Sequence, residues 1–196
     1  MELRENRPLI QALEAVVDAL HEMPALSMVI GGIAVIVHGV PRLTVDVDAT
    51  IWGHETDLET LFQKLAEHGI VPRIPDAFAF ARDRQVLLLR HEPSGTPLEV
   101  SLGWLPFELE ALKRSTIVRV GNVDVSIAVP EDLVIYKALA WRDRDRYDVE
   151  RLLVLHQAAI DLDRVRDFVR QFAEVLEEPG RVAEFESLVQ RALGTD

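Results

Sequence analysis

Asp46 and Asp48 alternate with valines in VDVDATIW, Val45 to Trp52. On an extended strand, residues two apart share a face, so both carboxylates point one way while Val45, Val47 and Ala49 point the other. Two like charges this close repel, and an apolar sheet tolerates them only beside a countercharge or in water. A divalent cation resolves the repulsion, since hard ions such as magnesium favour carboxylate oxygens. A solvated edge strand resolves it too, and spacing alone does not choose. Glu99 adds a third acid. In TPLEVSLGW, Leu98, Val100 and Leu102 alternate with Glu99 and Ser101, which sets Glu99 opposite the aliphatic row. It reads either as an exposed strand residue or as the completion of a three-carboxylate set. Gly31-Gly32 precedes the aspartates, between a strand-like and a helix-like segment. Such a turn leaves backbone N–H groups open to a phosphate, although tight strand–helix turns use glycine anyway.

These residues need elements to hold them. Leu9, Leu13, Val16, Val17 and Leu20 recur at helical spacing, which predicts an amphipathic helix over Pro8 to Met23. Ser27 to Ile30 reads as a short buried strand, Ile33 to His38 as a short helix, and Val45 to Trp52 as a strand. Asp57 to His68 is a second amphipathic helix, stopped by Gly69. Arg84 to His91 and Thr96 to Leu102 flank EPSG as a hairpin, and Thr116 to Val120 and Val123 to Ala128 flank Gly121-Asn122 as another. From Pro130 the pattern is helical: Glu131 to Trp141, Arg144 to His156, Leu162 to Leu176 and Val182 to Leu193. The fold class expected is α+β, a mixed α/β sheet flanked by helices over residues 1–129, followed by a C-terminal helical region over 130–196. There is no internal repeat and no low-complexity linker.

The bulk numbers bound the class. A chain of 196 residues fits one domain, or one with a small appendage, and at this size buries roughly 70% of its unfolded surface. The absence of cysteine excludes disulfides, thiolate zinc sites and cysteine nucleophiles together. The first residues do not resemble a secretory signal, and the run from Met28 to Val37 falls short of the ~18 apolar residues a membrane span requires. The expectation is a cytoplasmic protein with no membrane partner. A net charge of −12 argues against coating nucleic acid through the whole surface and leaves room for a local basic patch.

Taken together, Gly31-Gly32, the Asp46-x-Asp48 strand and the later strand carrying Glu99 resemble the DNA polymerase β-like nucleotidyltransferase superfamily. The form Arg42-x-Thr44-x-Asp46-x-Asp48 is similar to the branch holding the AbiEii-type toxins. There a lysine on a later helix precedes an Arg-Asp-x-Tyr-Asp signature, and this chain has YKALAWRDRDRYDVERLL, with Lys137, Arg144, Asp145, Tyr147 and Asp148. The resemblance spans about Val29 to Leu153. It implies a nucleotidyltransferase-like core and metal-dependent transfer of a nucleoside monophosphate from a nucleoside triphosphate to an acceptor hydroxyl, with pyrophosphate released. It also implies two magnesium ions, or manganese, held by Asp46, Asp48 and Glu99, about 3.5–4 Å apart as in two-metal sites generally. These three with Lys137 are the catalytic candidates. Gly31, Gly32, Arg42, Thr44, Lys137, Asp145 and Asp148 are the nucleotide-binding ones. The acceptor it suggests is tRNA, with a cognate antitoxin as partner in a toxin–antitoxin pair. Gly32 stands where many members carry serine, so a hydroxyl contact to phosphate is missing.

Alternatives stay open at several residues. Arg42 serves equally as a salt bridge fixing the strand entry or as a phosphate contact. If one helix ran through Lys137 and Asp148 they would lie about 20° apart around its axis, with Asp145 about 80° away. Asp145 and Asp148 then either act on the ligand or hold Lys137 or Arg42 in place, and the whole segment also reads as a solvated, salt-bridged face. The histidines show no metal-ligand spacing, and His38 reads as a packed or capping residue. Trp52, Trp104 and Trp141 read as core more readily than as base-stacking groups, and Phe78 and Phe80 fall between loop and strand. Competing functions are a small-molecule nucleotidyltransferase of the antibiotic-modifying kind, which the acidic charge suits, and a degenerate member that binds nucleotide or a partner without chemistry.

Overall fold

The structure is a computed structural model and describes residues 6–194. It divides into two compact units, residues 1–34 with 42–128, and residues 35–41 with 129–196.

The first unit is built on a seven-stranded mixed sheet. Its strands are β1 (Ser27–Val29), β2 (Val47–Trp52), β3 (Ile70–Pro72), β4 (Val86–His91), β5 (Thr96–Gly103), β6 (Thr116–Val120) and β7 (Val123–Ile127), in the order β3-β4-β5-β2-β1-β7-β6. The β2–β5 and β1–β7 pairs are parallel and the others antiparallel. Helices α1 (Arg7–His21), α2 (Gly31–Val37), α3 (Leu58–Glu67), α4 (Ala77–Arg84) and α5 (Pro106–Arg114) punctuate the strands. Strand alternation sorts the sheet into two faces. Val47, Ala49 and Ile51 of β2, Leu98, Val100 and Leu102 of β5, and Leu87 and Leu89 of β4 are all buried on one of them. Helix α1 packs across β2, β5 and β7 and against α3. Its buried stripe of Leu9, Leu13, Val16, Val17 and Leu20 is the one its periodicity predicts. Asn6 caps α1 by accepting from the Leu9 N–H, and Asp57 caps α3 by accepting from Thr60. The opposite sheet face carries Asp48 and Glu99.

The second unit holds α6 (Pro130–Ala140), α7 (Asp143–His156), α8 (Leu162–Val175) and α9 (Gly180–Leu193). Helix α6 packs on α7 and α8, and α9 on the same two helices. Their core includes Leu133, Val149, Leu152, Val165, Val169, Phe185 and Leu188. His156 Nε2 lies 2.8 Å from the carbonyl of His38, and the two rings meet edge to face, so His38 is a packed residue as its apolar setting suggests. No described helix is long and apolar enough to cross a membrane.

The mixed α/β sheet flanked by helices, with a helical C-terminal segment, is the fold class the sequence implies. Several boundaries differ for physical reasons. Strand β2 begins at Val47, two residues later than alternation suggests, and Val45 is 72% exposed rather than part of the buried row. Helix α2 begins at Gly31, because the glycine pair forms its first turn instead of breaking the chain before it. Helix α4 and the short strand β3 lack a clear period and go unread; α5 also goes unread, although it buries Phe107, Ala111 and Leu112 at helical spacing. Helix α4 buries only Ala81, and its Phe78 is exposed. One helix does not run from Lys137 to Asp148: the chain turns at Trp141, whose φ of 51° is left-handed, and restarts at Asp143.

Candidate active site

Asp48 and Glu99 are direct register partners across the parallel β2–β5 pair, so their half-buried side chains stand side by side on the face opposite the aliphatic row. The neighbouring rung is Thr50 and Ser101, with the Thr50 hydroxyl donating to the Ser101 carbonyl at 3.3 Å. That rung joins Asp48 and Glu99 to a well-hydrogen-bonded centre of the sheet. Asp46 lies just before β2, where its carboxylate accepts the Thr44 hydroxyl at 2.8 Å. The two aspartates therefore do not share one strand. Asp48 is held by the ladder and Asp46 by the extended segment leading into it.

The glycine pair explains how these acids sit so close to the backbone. Gly31 has φ +63°, a region costly for any residue with a Cβ, and the Ile30 N–H donates to the Asp48 carbonyl at 2.9 Å. A Cβ on Gly31 would lie 2.6 Å from the Asp48 carboxyl carbon, and one on Gly32 would lie 2.8 Å from the Thr44 Cβ and 3.3 Å from an Arg42 guanidinium nitrogen. Gly31, Gly32, Arg42, Thr44, Asp46 and Asp48 thus form one close-packed corner. Buried Thr44 ties it together, and Arg42 also donates to the Leu43 carbonyl at 3.3 Å.

Glu99 has a partner that sequence reasoning misses. Arg73, just after β3, donates to its carboxylate at 2.6 Å, with both side chains partly exposed. The two residues are 26 positions apart, and only the β3–β4–β5 register joins them. Among the described residues, no three acidic or histidine side chains stand close enough to hold a metal ion as they are. Glu99 is turned to Arg73 instead. The donor chemistry nevertheless suits a hard divalent cation: carboxylate oxygens from Asp46, Asp48 and Glu99, and a guanidinium already standing as counter-cation on one of them.

In the helical unit, Lys137 is 7% exposed, and its ammonium donates to Asp145 at 3.1 Å and lies 2.9 Å from Asp148. Both carboxylates are buried. Asp145 also accepts the Arg142 backbone N–H at 3.1 Å and the Arg142 Nε at 2.7 Å. Burial, the largest single influence on Asp145, pushes its pKa up. The Arg142 and Lys137 contacts together outweigh it and hold the carboxyl below its ordinary value. A second buried network joins Arg164 to Glu131 and Asp132, each at 2.7 Å. Two open clefts, about 550 Å³ beside Trp141, Arg146 and Glu184 and about 510 Å³ beside Phe62 and Phe78, are lined by none of the carboxylates named above.

Comparison with known proteins places this arrangement. The model of a family described as nucleotidyltransferase of unknown function (DUF6036) matches residues 8–191. No curated protein matches. Among solved structures, the solution structure of the antibiotic-resistance factor ANT(2'')-Ia superposes with a TM-score of 0.58 at 14% identity, covering 90% of this chain and 95% of that one. The crystal structure of ANT(2")-Ia in complex with adenylyl-2"-tobramycin gives a TM-score of 0.54 at 15% identity, covering 85% and 98%. A putative nucleotidyltransferase from H. pylori gives 0.51 at 17% identity, covering 93% and 92%. At these identities the structures show a shared fold. The family model supports the nucleotidyltransferase superfamily and does not single out the AbiEii-type branch. With almost the whole chain matched by the family model, and with the fold shared, this protein belongs to the DUF6036 family of nucleotidyltransferases.

Proposed function

We propose that the chain transfers a nucleoside monophosphate from a nucleoside triphosphate to an acceptor hydroxyl at the face bearing Asp46, Asp48 and Glu99. In this reaction the acceptor oxygen bonds to the α-phosphorus, the bond to the bridging oxygen of pyrophosphate breaks, and the acceptor proton leaves to a base or to water. The observation that carries the reading is the Asp48–Glu99 register pair, with Asp48 packed where a Cβ on Gly31 would clash. Two like-charged side chains side by side on a central sheet rung are costly without countercharge; Arg73 supplies part of it at Glu99, and a divalent ion would supply more.

Asp46, Asp48 and Glu99 are the residues that would hold magnesium or manganese. Bound there, such an ion supplies charge neutralisation at the phosphate oxygens and lowers the pKa of a bound hydroxyl. Positioning and electrostatics dominate transfers of this type, so the chain's own part is to orient groups. Thr44 fixes the Asp46 carboxylate, and the glycines at 31 and 32 let Asp48 and Thr44 pack against the turn with Arg42 beside them. Lys137, Asp145 and Asp148 take a positioning part: the ammonium is committed to two buried carboxylates and ties α6 to α7.

For the acceptor, 33 acids against 21 bases favour a small cationic molecule over a polyanion. One of the similar structures, ANT(2")-Ia, is a complex with adenylyl-2"-tobramycin. Modification of tRNA by a toxin held by an antitoxin is the competing acceptor class. The experiment supplies each α-labelled triphosphate with magnesium, total RNA and a panel of amino-sugar compounds, and follows the label. Transfer is expected to fall at least a hundredfold, on the order of the loss of key electrostatic groups elsewhere, in the double variant Asp46→Ala, Asp48→Ala. Undiminished transfer in that variant removes the site. Label in RNA alone would select the macromolecular acceptor.

A further inference from the structure

We infer that Arg73 is a resident counter-cation of the acidic face, competing with a divalent ion for Glu99. The inference rests on the reading of Glu99 as a ligand and adds a residue that this reading lacks.

Register places Arg73 on the face. Pro72 pairs with Leu89 in β3–β4, and the Arg73 N–H donates to the Leu88 carbonyl at 3.0 Å, so Arg73 continues the ladder opposite Leu88. Leu88 pairs with Glu99, and Glu99 with Asp48. Arg73, Leu88, Glu99 and Asp48 therefore form one row across four strands. The guanidinium spans two strand spacings, about 9–10 Å, to reach Glu99 over Leu88, and closes to 2.6 Å.

The electrostatics follow. Two carboxylates on one rung, Asp48 and Glu99, repel each other, and a guanidinium on Glu99 offsets part of that repulsion when no ion is bound. A guanidinium donates N–H groups and accepts none, so it holds Glu99 by charge and hydrogen bonding alone. A competing cation can displace it. Arg73 holds the Glu99 Oε1, so an ion that draws both carboxylate oxygens, or that one, must displace the guanidinium. Arg73 thus sets the ion concentration at which the face loads. It is a positioning residue, acting through Glu99.

The test uses the full chain without nucleotide and measures Mn²⁺ binding by electron paramagnetic resonance, with thermal unfolding as the fold control. Arg73→Gln is expected to bind Mn²⁺ roughly three- to tenfold more tightly than wild type, the loss of a partly exposed ion pair plus one repelling charge. In a Glu99→Gln background the same substitution is expected to change affinity less than twofold, since the two effects act through one contact. Equal or weaker binding in Arg73→Gln with an unchanged thermal midpoint overturns the inference. Should that variant be less stable, Arg73→Met, which keeps an aliphatic stem and loses the charge, is expected to tighten binding, and no tightening overturns it equally. If neither wild type nor Arg73→Gln binds Mn²⁺, or if Asp48→Asn leaves binding unchanged, the acidic-centre reading itself fails. Binding that depends on Asp48 but not on Arg73 sinks only the counter-cation.

Discussion

At the scale of single residues, the corner at Gly31 decides what the acids can do. Its positive φ and its closeness to Asp48 each exclude a side chain, and the two exclusions have separate causes. Gly31→Ala therefore strains the backbone and drives the Asp48 carboxyl from its place. The expected cost is about 1–3 kcal/mol in urea unfolding, the range for overpacking and left-handed strain, together with a loss of nucleotidyl transfer. A variant within about 0.5 kcal/mol of wild type, the range of a neutral surface change, would show that the corner is looser than the contacts imply. The glycine pair was legible as a turn before a helix. That the turn exists to admit Asp48 and Thr44 was not, because both contacts cross from one element to another.

Among elements, the most informative junction is the one between α6 and α7. The charge-rich run from Lys137 to Asp148 looks continuous, and helical angles would align its ends. The left-handed residue Trp141 breaks it, and α7 folds back so that the buried ammonium still meets both carboxylates. A buried ion pair contributes little net stability over apolar packing, but removing one member leaves charge stranded. Asp145→Asn is expected to cost about 3 kcal/mol at neutral pH. Its folded pKa is depressed, so this contribution is complete above the unfolded value of about 3.9 and is lost as pH falls through the lower folded value. The gap in unfolding free energy between wild type and Asp145→Asn should stay constant from about pH 5 to 8 and close below about pH 4. A gap that widens toward acid would mean that Asp145 is not held as an anion.

For the whole molecule, chain order and compactness disagree at one place. Residues 35–41 belong with the helices after 129, although the sheet surrounds them in sequence. Val35 and Val40 are fully buried, and His156 meets the His38 carbonyl. A fragment ending at residue 128 keeps every strand but loses the helices that complete this segment. It is expected to unfold at lower urea and less cooperatively than the full chain, by circular dichroism. A fragment as stable and as cooperative as the parent would show that residues 35–41 need no helical partner.

The sequence by itself determined the broad outcome. Alternation in β2 and β5, the helical periods of α1 and α3, and the helical tail are local patterns of period two or 3.6, and each survives in the folded chain. So do the residue types for chemistry: the acids and the glycine turn are visible without a structure, and two of the three acids, Asp48 and Glu99, do stand on strands. Helix α4 escaped because it is short and buries one alanine, leaving no stripe to read. Only tertiary structure decided which groups meet. Asp48 stands beside Glu99 because β2 and β5 pair in parallel, Arg73 reaches Glu99 because three strands fall in one register, and Lys137 is enclosed because a single residue turns left-handed. Each depends on long-range pairing, which no local period encodes.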